Sequence, residues 1–332
     1  MATQIIYLTP AGATLPSVRF RVLPFVELGN GKGLDVSWQR VPKSIFNRLV
    51  FFARLPKAEI YIIQAKLFSA QEINVLKHKC DMLVFDYDDA IWTMPPFDLA
   101  NLKKRRKAAK CASRFANQCA KADLCIAGNR FLAEKGHHYQ DNIAIIPTGL
   151  DTKKYVAGRN NRPNSVPVVG WMGTSSYLDW VQEPISKLQR HVGSIQFSII
   201  SNAQYTGEGK EHVKWAAWSS EKEVSQLQAM DIGLMPLENN EYTRGKCGFK
   251  ILQYMACGVV PVAADVGFNA EIIEHGIDGF LVRTPEEWEI YIMRLAEDNS
   301  LRQAMAEAAR KKVVAEFDIR VMADTLWRAL GV

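Results

Sequence analysis

No run of about 18 consecutive apolar residues occurs in the 332-residue chain, so no segment has the composition to cross a bilayer as a helix. The first residues pass straight into Ile5-Ile6-Tyr7-Leu8 without a basic leader or a small-residue cleavage site, and export is therefore not expected. The six cysteines are scattered, which excludes a disulfide scaffold and the short paired spacings of a zinc site and points to a reducing cytoplasm. The segment after that first apolar run, Thr9 to Arg21, lacks the glycine triplet of a dinucleotide fold, which argues against a nicotinamide or flavin enzyme. Solenoid-length repeats and low-complexity tracts are missing too.

What is present is the composition of a soluble globular protein, 48% hydrophobic and 23% charged, with length for two domains of roughly 150 residues. The net charge of +6 is unevenly distributed: residues 1–150 hold 21 Lys+Arg against 12 Asp+Glu, a balance of +9, and residues 151–332 hold 20 against 23, a balance of −3. Most of the excess lies in Lys103, Lys104, Arg105, Arg106, Lys107, Lys110, Arg114 and Lys121, on a segment that reads as one basic helix. Such a helix is either a solvated face or a contact for an anionic surface; no nucleic-acid motif accompanies it, so nucleic acid is disfavoured.

Short runs rich in Ile and Val alternate with helical patterns. The first series is Ile5–Leu8, Asp35–Trp38, Ile60–Ile63, Met82–Phe85, Leu124–Ala127 and Ile143–Ile146. The second is Val168–Trp171, Gln196–Ile200, His212–Trp215, Ile232–Met235, Val260–Ala263 and Phe280–Val282. Runs without polar alternation predict strands buried on both faces of parallel sheets, hence two doubly wound α/β domains. The polar, turn-rich stretch Asp151–Pro167 reads as the linker. We place the first domain at residues 1–155, the second at 156–315, and in 316–332 a final helix expected to dock back on the first.

Ligands of open α/β sheets bind beyond the carboxyl ends of strands, so the residues after each strand carry the functional signal. The fourth run ends in Asp86-Tyr87-Asp88-Asp89, three carboxylates in four residues, which should repel and raise at least one pKa. A dipole-favoured helix cap is the alternative, although one Asp would serve that purpose. Arg19 and Arg21 are expected to open the first helix. Gly170-Trp171-Met172-Gly173-Thr174 forms a small-residue turn from strand into helix. In Arg244-Gly245-Lys246-Cys247-Gly248, a basic, glycine-broken loop precedes the helix Phe249–Ala256, offering N–H groups and a positive dipole end to a diphosphate. Lys250 and Gln253 lie about one turn apart just inside that terminus. An ordinary αβ unit with a solvated loop remains the alternative.

Taken in order, Asp86-Tyr87-Asp88-Asp89-Ala90-Ile91-Trp92, Ala122 to Ala127, Ile146-Pro147-Thr148-Gly149-Leu150-Asp151, Gly170-Trp171-Met172-Gly173, Asp231 to Leu237, and Lys246 to Gly258 with Pro261-Val262 resemble the retaining family 4 (group 1) glycosyltransferases. The resemblance implies the GT-B architecture, two Rossmann-like doubly wound domains facing a cleft. It implies a cytoplasmic retaining hexosyltransferase of class EC 2.4. Such an enzyme moves sugar from a nucleotide-diphosphate sugar to a glycan or lipid-linked acceptor in surface polysaccharide or glycolipid synthesis. No metal or other cofactor is expected. A weakened nucleotide-sugar or glycan-binding protein and a sugar-nucleotide epimerase are the alternatives, and the donor's base and sugar stay open.

On this reading Asp88, Asp89 and Lys250 are catalytic. Gly173, Thr174, Arg244, Lys246, Gly248, Phe249, Lys250 and Gln253 hold the donor, and Ser17, Arg19, Arg21 and Asp86 the acceptor. The basic helix Lys103–Lys121 is the expected contact with an anionic membrane surface, which leaves peripheral attachment at the inner face open. Two positions depart from the family pattern of paired glutamates: they hold Gly245 and Gln253.

Overall fold

The computed structural model describes residues 2–158 and 166–332; residues 159–165 of the expected linker lie outside the described residues. Among the described residues, twelve strands form where apolar runs occur. The first six are β1 (Gln4–Thr9), β2 (Asp35–Arg40), β3 (Ala58–Gln64), β4 (Cys80–Tyr87), β5 (Leu124–Ala127) and β6 (Ile143–Ile145). They build one parallel sheet in the order β2-β1-β3-β4-β5-β6. The second sheet comprises β7 (Val168–Met172), β8 (Gln196–Ser201), β9 (Val213–Ala217), β10 (Ile232–Met235), β11 (Val260–Ala264) and β12 (Phe280–Val282). Its order is β12-β11-β10-β7-β8-β9, also parallel throughout. In this sheet the chain winds outward from β7 and then resumes at β10 on its other side, a topological switch of the kind at which open α/β sheets bind ligands.

Both sheets are doubly wound, as the patterning predicts, and burial explains the pattern. β4 and β11 are buried along most or all of their length because helices cover both faces. The expectation of two-sided burial fails at β2, β6 and β9, which lie at sheet edges and keep exposed positions. The helix Phe249–Ala256 starts and ends where the sequence places it, and the basic helix extends over Leu102–Lys121. Arg19 and Arg21 do not open the first helix. They close Pro16–Arg21, where cations complement the negative end of the dipole.

The chain divides into two compact units. The first contains Met1–Gly149, Asn240–Cys247 and Ile319–Val332; the second contains Leu150–Asn239 and Gly248–Asp318. The short excursion Asn240–Cys247 is fastened within the first unit by hydrogen bonds from Trp92 Nε1 to Glu241 Oε1 (2.7 Å) and from Asn129 Nδ2 to the carbonyls of Arg244 (3.3 Å) and Lys246 (3.2 Å). The last helix, Ile319–Leu330, lays Met322, Ala323, Leu326, Trp327 and Leu330 into the first unit's core. Trp327 meets Phe25 edge-on at 6.3 Å between ring centroids.

Removing so large a buried side chain leaves a cavity that its neighbours close only in part. Trp327→Ala should therefore destabilise the first unit by about 3–5 kcal/mol in denaturant unfolding, and an effect within experimental error would show that the terminal helix contributes no packing there.

Candidate functional site

In the first unit the polar residues gather where β4 ends. Asp86 is 3% exposed, and burial pushes its carboxyl above the ordinary range while the Arg21 guanidinium pulls it down. Arg21, 1% exposed, donates Nε (2.9 and 3.0 Å) and Nη2 (2.7 Å) to that carboxylate and Nη1 to Thr148 Oγ1 (3.3 Å). The pair holds Arg21 above its usual value despite burial, which acts the other way. Arg21 and Asp86, both expected at the acceptor, thus satisfy each other. Breaking such a buried pair from one side costs far more than the pair contributes as a whole.

Asp88, two residues on, is also buried, and desolvation raises its carboxyl to about 6; Arg21 opposes the shift, and Asp89 and Asp86 add to it. The raised carboxyl expected of the cluster is thus found at Asp88, with burial as its first cause and like charge a lesser one. Gly128 packs so close that a Cβ there would lie 2.9 Å from Asp88 Cα. Gln64, wholly buried at the end of β3, donates Nε2 to Asp88 Oδ1 at 3.4 Å, and its Oε1 has no hydrogen-bond partner among the described residues. Ala65 follows with φ +48°, in the left-handed region that costs a non-glycine residue energy.

Asp89 is half exposed and accepts from Lys246 Nζ at 3.1 Å, and Lys246 also donates to Tyr242 Oη at 3.0 Å. Lys246, expected on the donor, therefore neutralises an acid of the first unit. Arg244 is exposed in the same excursion. Gly245 has a steric reason: a Cβ would fall 2.6 Å from Ala90 Cβ and 2.8 Å from Ala90 N. No glutamate could occupy this position without moving the β4 exit.

In the second unit the structure brings together Gly173, at the end of β7, and Lys250, in the first turn of Phe249–Ala256: a Cβ on Gly173 would lie 3.1 Å from Lys250 Cε. Lys250 Nζ stands 5.8 Å from the Trp171 ring centroid. Gly248 caps this helix at φ +58°, a conformation that glycine adopts without strain. Thr174 is exposed beside Gly173, and Phe249 is half-buried at the first helical position. A helix start, a cation and two glycines form a compact cradle for an anion.

Gln253 is only 5% exposed, and its Nε2 donates to Glu223 Oε1 (3.2 Å) and Tyr155 Oη (3.4 Å), while Tyr155 Oη donates to Glu223 Oε2 (2.7 Å). This places it in a buried polar network. Ser17 is half-buried and Arg19 lies 4.6 Å over the Phe20 ring, both in the helix that delivers Arg21. Gln64, Asn129, Thr148, Glu223 and Tyr155 escaped the sequence reading. Thr148 alone lay inside one of the motifs, and the others meet the candidate residues of their own unit only through strand pairing and chain return.

Among the described residues, no group of three or more His, Cys, Asp or Glu side chains is placed to hold a metal ion, and no helix is long and apolar enough to cross a membrane. A cavity of about 520 Å³ opens in the second unit beside Trp180 and Trp288, with Asp179, Glu183, Glu238 and Asp265 on its walls. None of the residues expected to hold the donor lines it.

The titration of Asp88 has a definite sign. Its folded pKa of about 6 lies above the ordinary 3.8, so between these values the folded protein retains a proton that the unfolded chain has released, and stability falls as pH rises. Asp88→Asn, which cannot ionise, should gain stability relative to the parent by about 1 kcal/mol more at high pH than near pH 5. Parallel urea curves at the two pH values measure it, and a pH-independent difference would mean that Asp88 titrates normally.

Residues 201–312 match the family model described as Glycosyl transferases group 1. N-acetyl-alpha-D-glucosaminyl L-malate synthase of Bacillus anthracis is 32% identical over 97 residues, which cover 28% of this chain and 24% of that protein. The match thus spans about a quarter of this curated relative. Among solved structures, HepE of Anabaena in complex with UDP superposes with a TM-score of 0.71 at 17% identity, covering 99% of this chain and 100% of that one. A structure of the same protein with UDP-glucose gives 0.69, also at 17% identity, covering 99% of each chain. Sucrose-phosphate synthase of Thermosynechococcus elongatus gives 0.72 at 15% identity, again covering 99% of each chain. The chain therefore has the GT-B fold of two Rossmann-like units, and its segment 201–312, which contains the Gly248–Lys250 cradle, is similar to the group 1 glycosyl transferases.

Proposed function

We propose that this protein is a retaining hexosyltransferase that moves a sugar from a nucleotide-diphosphate sugar to a glycan or lipid-linked acceptor in cell-surface polysaccharide or glycolipid synthesis. The observation that carries the reading is the convergence of Gly173, Gly248 and Lys250 at the start of one helix, with Gly248 and Lys250 inside the matched segment 201–312. The UDP and UDP-glucose complexes of the Anabaena protein support a nucleotide-sugar as the donor class.

Breaking the sugar–diphosphate bond leaves an electron-poor anomeric carbon and a departing dianion. A fixed cation and a helix dipole at the diphosphate stabilise that charge more in the transition state than in the ground state. Lys250 is the side chain for this task. On the first unit, Asp88 is the acid suited to orient an acceptor hydroxyl, since its burial leaves it partly protonated near pH 6. Asp89 is paired with Lys246, so its charge is already answered.

A second reading has its own observation: Gly245 is closed by Ala90, and the Gln253 amide is engaged by Glu223 and Tyr155. A protein without the two glutamates could bind a nucleotide-sugar without turning it over. Mass spectrometry of donor incubated with and without glycan acceptors separates the two, since binding without hydrolysis or transfer supports the second.

Lys250→Ala should weaken nucleotide-sugar binding by about 1.5–3 kcal/mol, the range for one charge-assisted hydrogen bond. Calorimetric titration of the folded variant checks it, and unchanged affinity would remove Lys250 from the donor site.

A further inference from the structure

The helix Ile45–Arg54 is apolar on both sides. Toward the sheet it contributes Phe51 and Phe52 to the first unit's core. Outward it shows Phe46 at 73%, Leu49 at 63% and Val50 at 39% exposure, side chains at helical spacing that form one ridge. A helix facing water ordinarily carries polar residues there, and a continuous exposed apolar patch marks a contact surface. The ridge does not stand alone, because Phe97 (62% exposed) and Leu102 (61%) flank the start of the basic helix Leu102–Lys121.

Topology puts these features at one end of one face. The helices 45–54, 70–77 and 102–121 all pack on the side of the sheet that holds Phe52, Leu76 and Phe115. Each crosses from the carboxyl end of a strand, so the first turns of helices 45–54 and 102–121 both lie at the carboxyl rim. Lys66, which follows β3 at that rim, links them electrically. Burial, then the nearby Arg48 guanidinium, holds its ammonium below the ordinary value; Arg114 and Lys43 act in the same sense and Glu72 opposes. The helix 102–121 carries eight cations and no acid, and Lys103, Lys104, Arg105, Arg106, Lys107 and Lys110 are all exposed.

We propose that this face of the first unit docks on an anionic lipid surface, with Phe46, Leu49 and Val50 entering the headgroup boundary and the first turns of helix 102–121 lying along the phosphates. An apolar ridge on the same face as a dense field of Lys and Arg, with helix 70–77 between them, is a composition that binds lipid interfaces, where burial and charge attraction add. A second copy of the chain fits poorly, because a two-fold contact would set this cationic face against itself. The surface needs no catalytic step, so its test is independent of the transferase reading.

Flotation of the full chain with phosphatidylcholine vesicles, with and without phosphatidylglycerol, reads the proposal directly. The protein should float with phosphatidylglycerol vesicles, bind the neutral ones far less, and lose much of its binding at high salt. Phe46→Ser/Leu49→Ser keeps every charge and should lower partitioning by about tenfold or more; Arg105→Gln/Arg106→Gln should lower it as well and flatten the salt dependence. A parent protein that stays unbound, or a Phe46/Leu49 variant that floats as the parent does, overturns the proposal. So does a shift from dimer to monomer in that variant, which would assign the ridge to a second copy. Should the double variant not fold, Leu49→Trp replaces it: its added emission should move to the blue on vesicle addition, and unchanged emission overturns the docking.

Discussion

Every strand in each sheet runs in the same direction, so each sheet delivers its strand exits to a single edge. That constraint organises the chemistry. Parallel strands are buried by helices on both faces, which leaves the carboxyl rim as the place where polar side chains can collect without disturbing the core. In the first unit this rim holds Asp86, Asp88, Gln64 and Thr148, contributed by separate strands or the turns after them. The bidentate contact between Arg21 and Asp86 fixes the exit of β4, and with it the direction in which Asp88 and Asp89 leave the sheet. A carboxylate buried without that partner would stay protonated or disturb the fold, so the ion pair specifies geometry more than it adds stability.

The two units handle charge differently. In the first, each acid of the cluster has its own answer: Asp86 meets Arg21, Asp89 meets Lys246, and Asp88 is held by burial at a pKa of about 6. In the second, Lys250 and the Gly248 helix start form a cationic corner, whereas the neighbouring network of Glu223, Gln253 and Tyr155 is closed on itself. The excursion Asn240–Cys247 joins the first unit although the sequence reads it as the approach to the donor helix. Consequently Lys246 and Lys250, four residues apart, belong to different units, and it is Lys246 that pairs with Asp89.

Much of this was legible in the sequence because it is local. The twelve strands among the described residues fall on apolar runs, the helix Phe249–Ala256 lies between its glycines, and three acids in four residues announced a perturbed carboxyl. Tertiary relations were not legible. Gln64 becomes a neighbour of Asp88 only because β3 pairs with β4, and Glu223 meets Gln253 from a helix 30 residues earlier. Gly245 looked like a lost glutamate; its cause is Ala90, more than a hundred positions away in the chain. The apolar ridge was hidden for a simpler reason: Phe46, Leu49 and Val50 sit among Phe51 and Phe52, and composition cannot say which of five neighbouring apolar residues face inward.

The central claim is that the diphosphate of a nucleotide-sugar rests at the cradle of Gly173, Gly248 and Lys250. A crystal structure of the protein soaked with UDP-glucose tests it most directly. The account predicts phosphate density within hydrogen-bonding distance of Lys250 Nζ and over the start of the helix Phe249–Ala256. Density for the nucleotide in the cavity beside Trp180 and Trp288, with the cradle vacant, would contradict it.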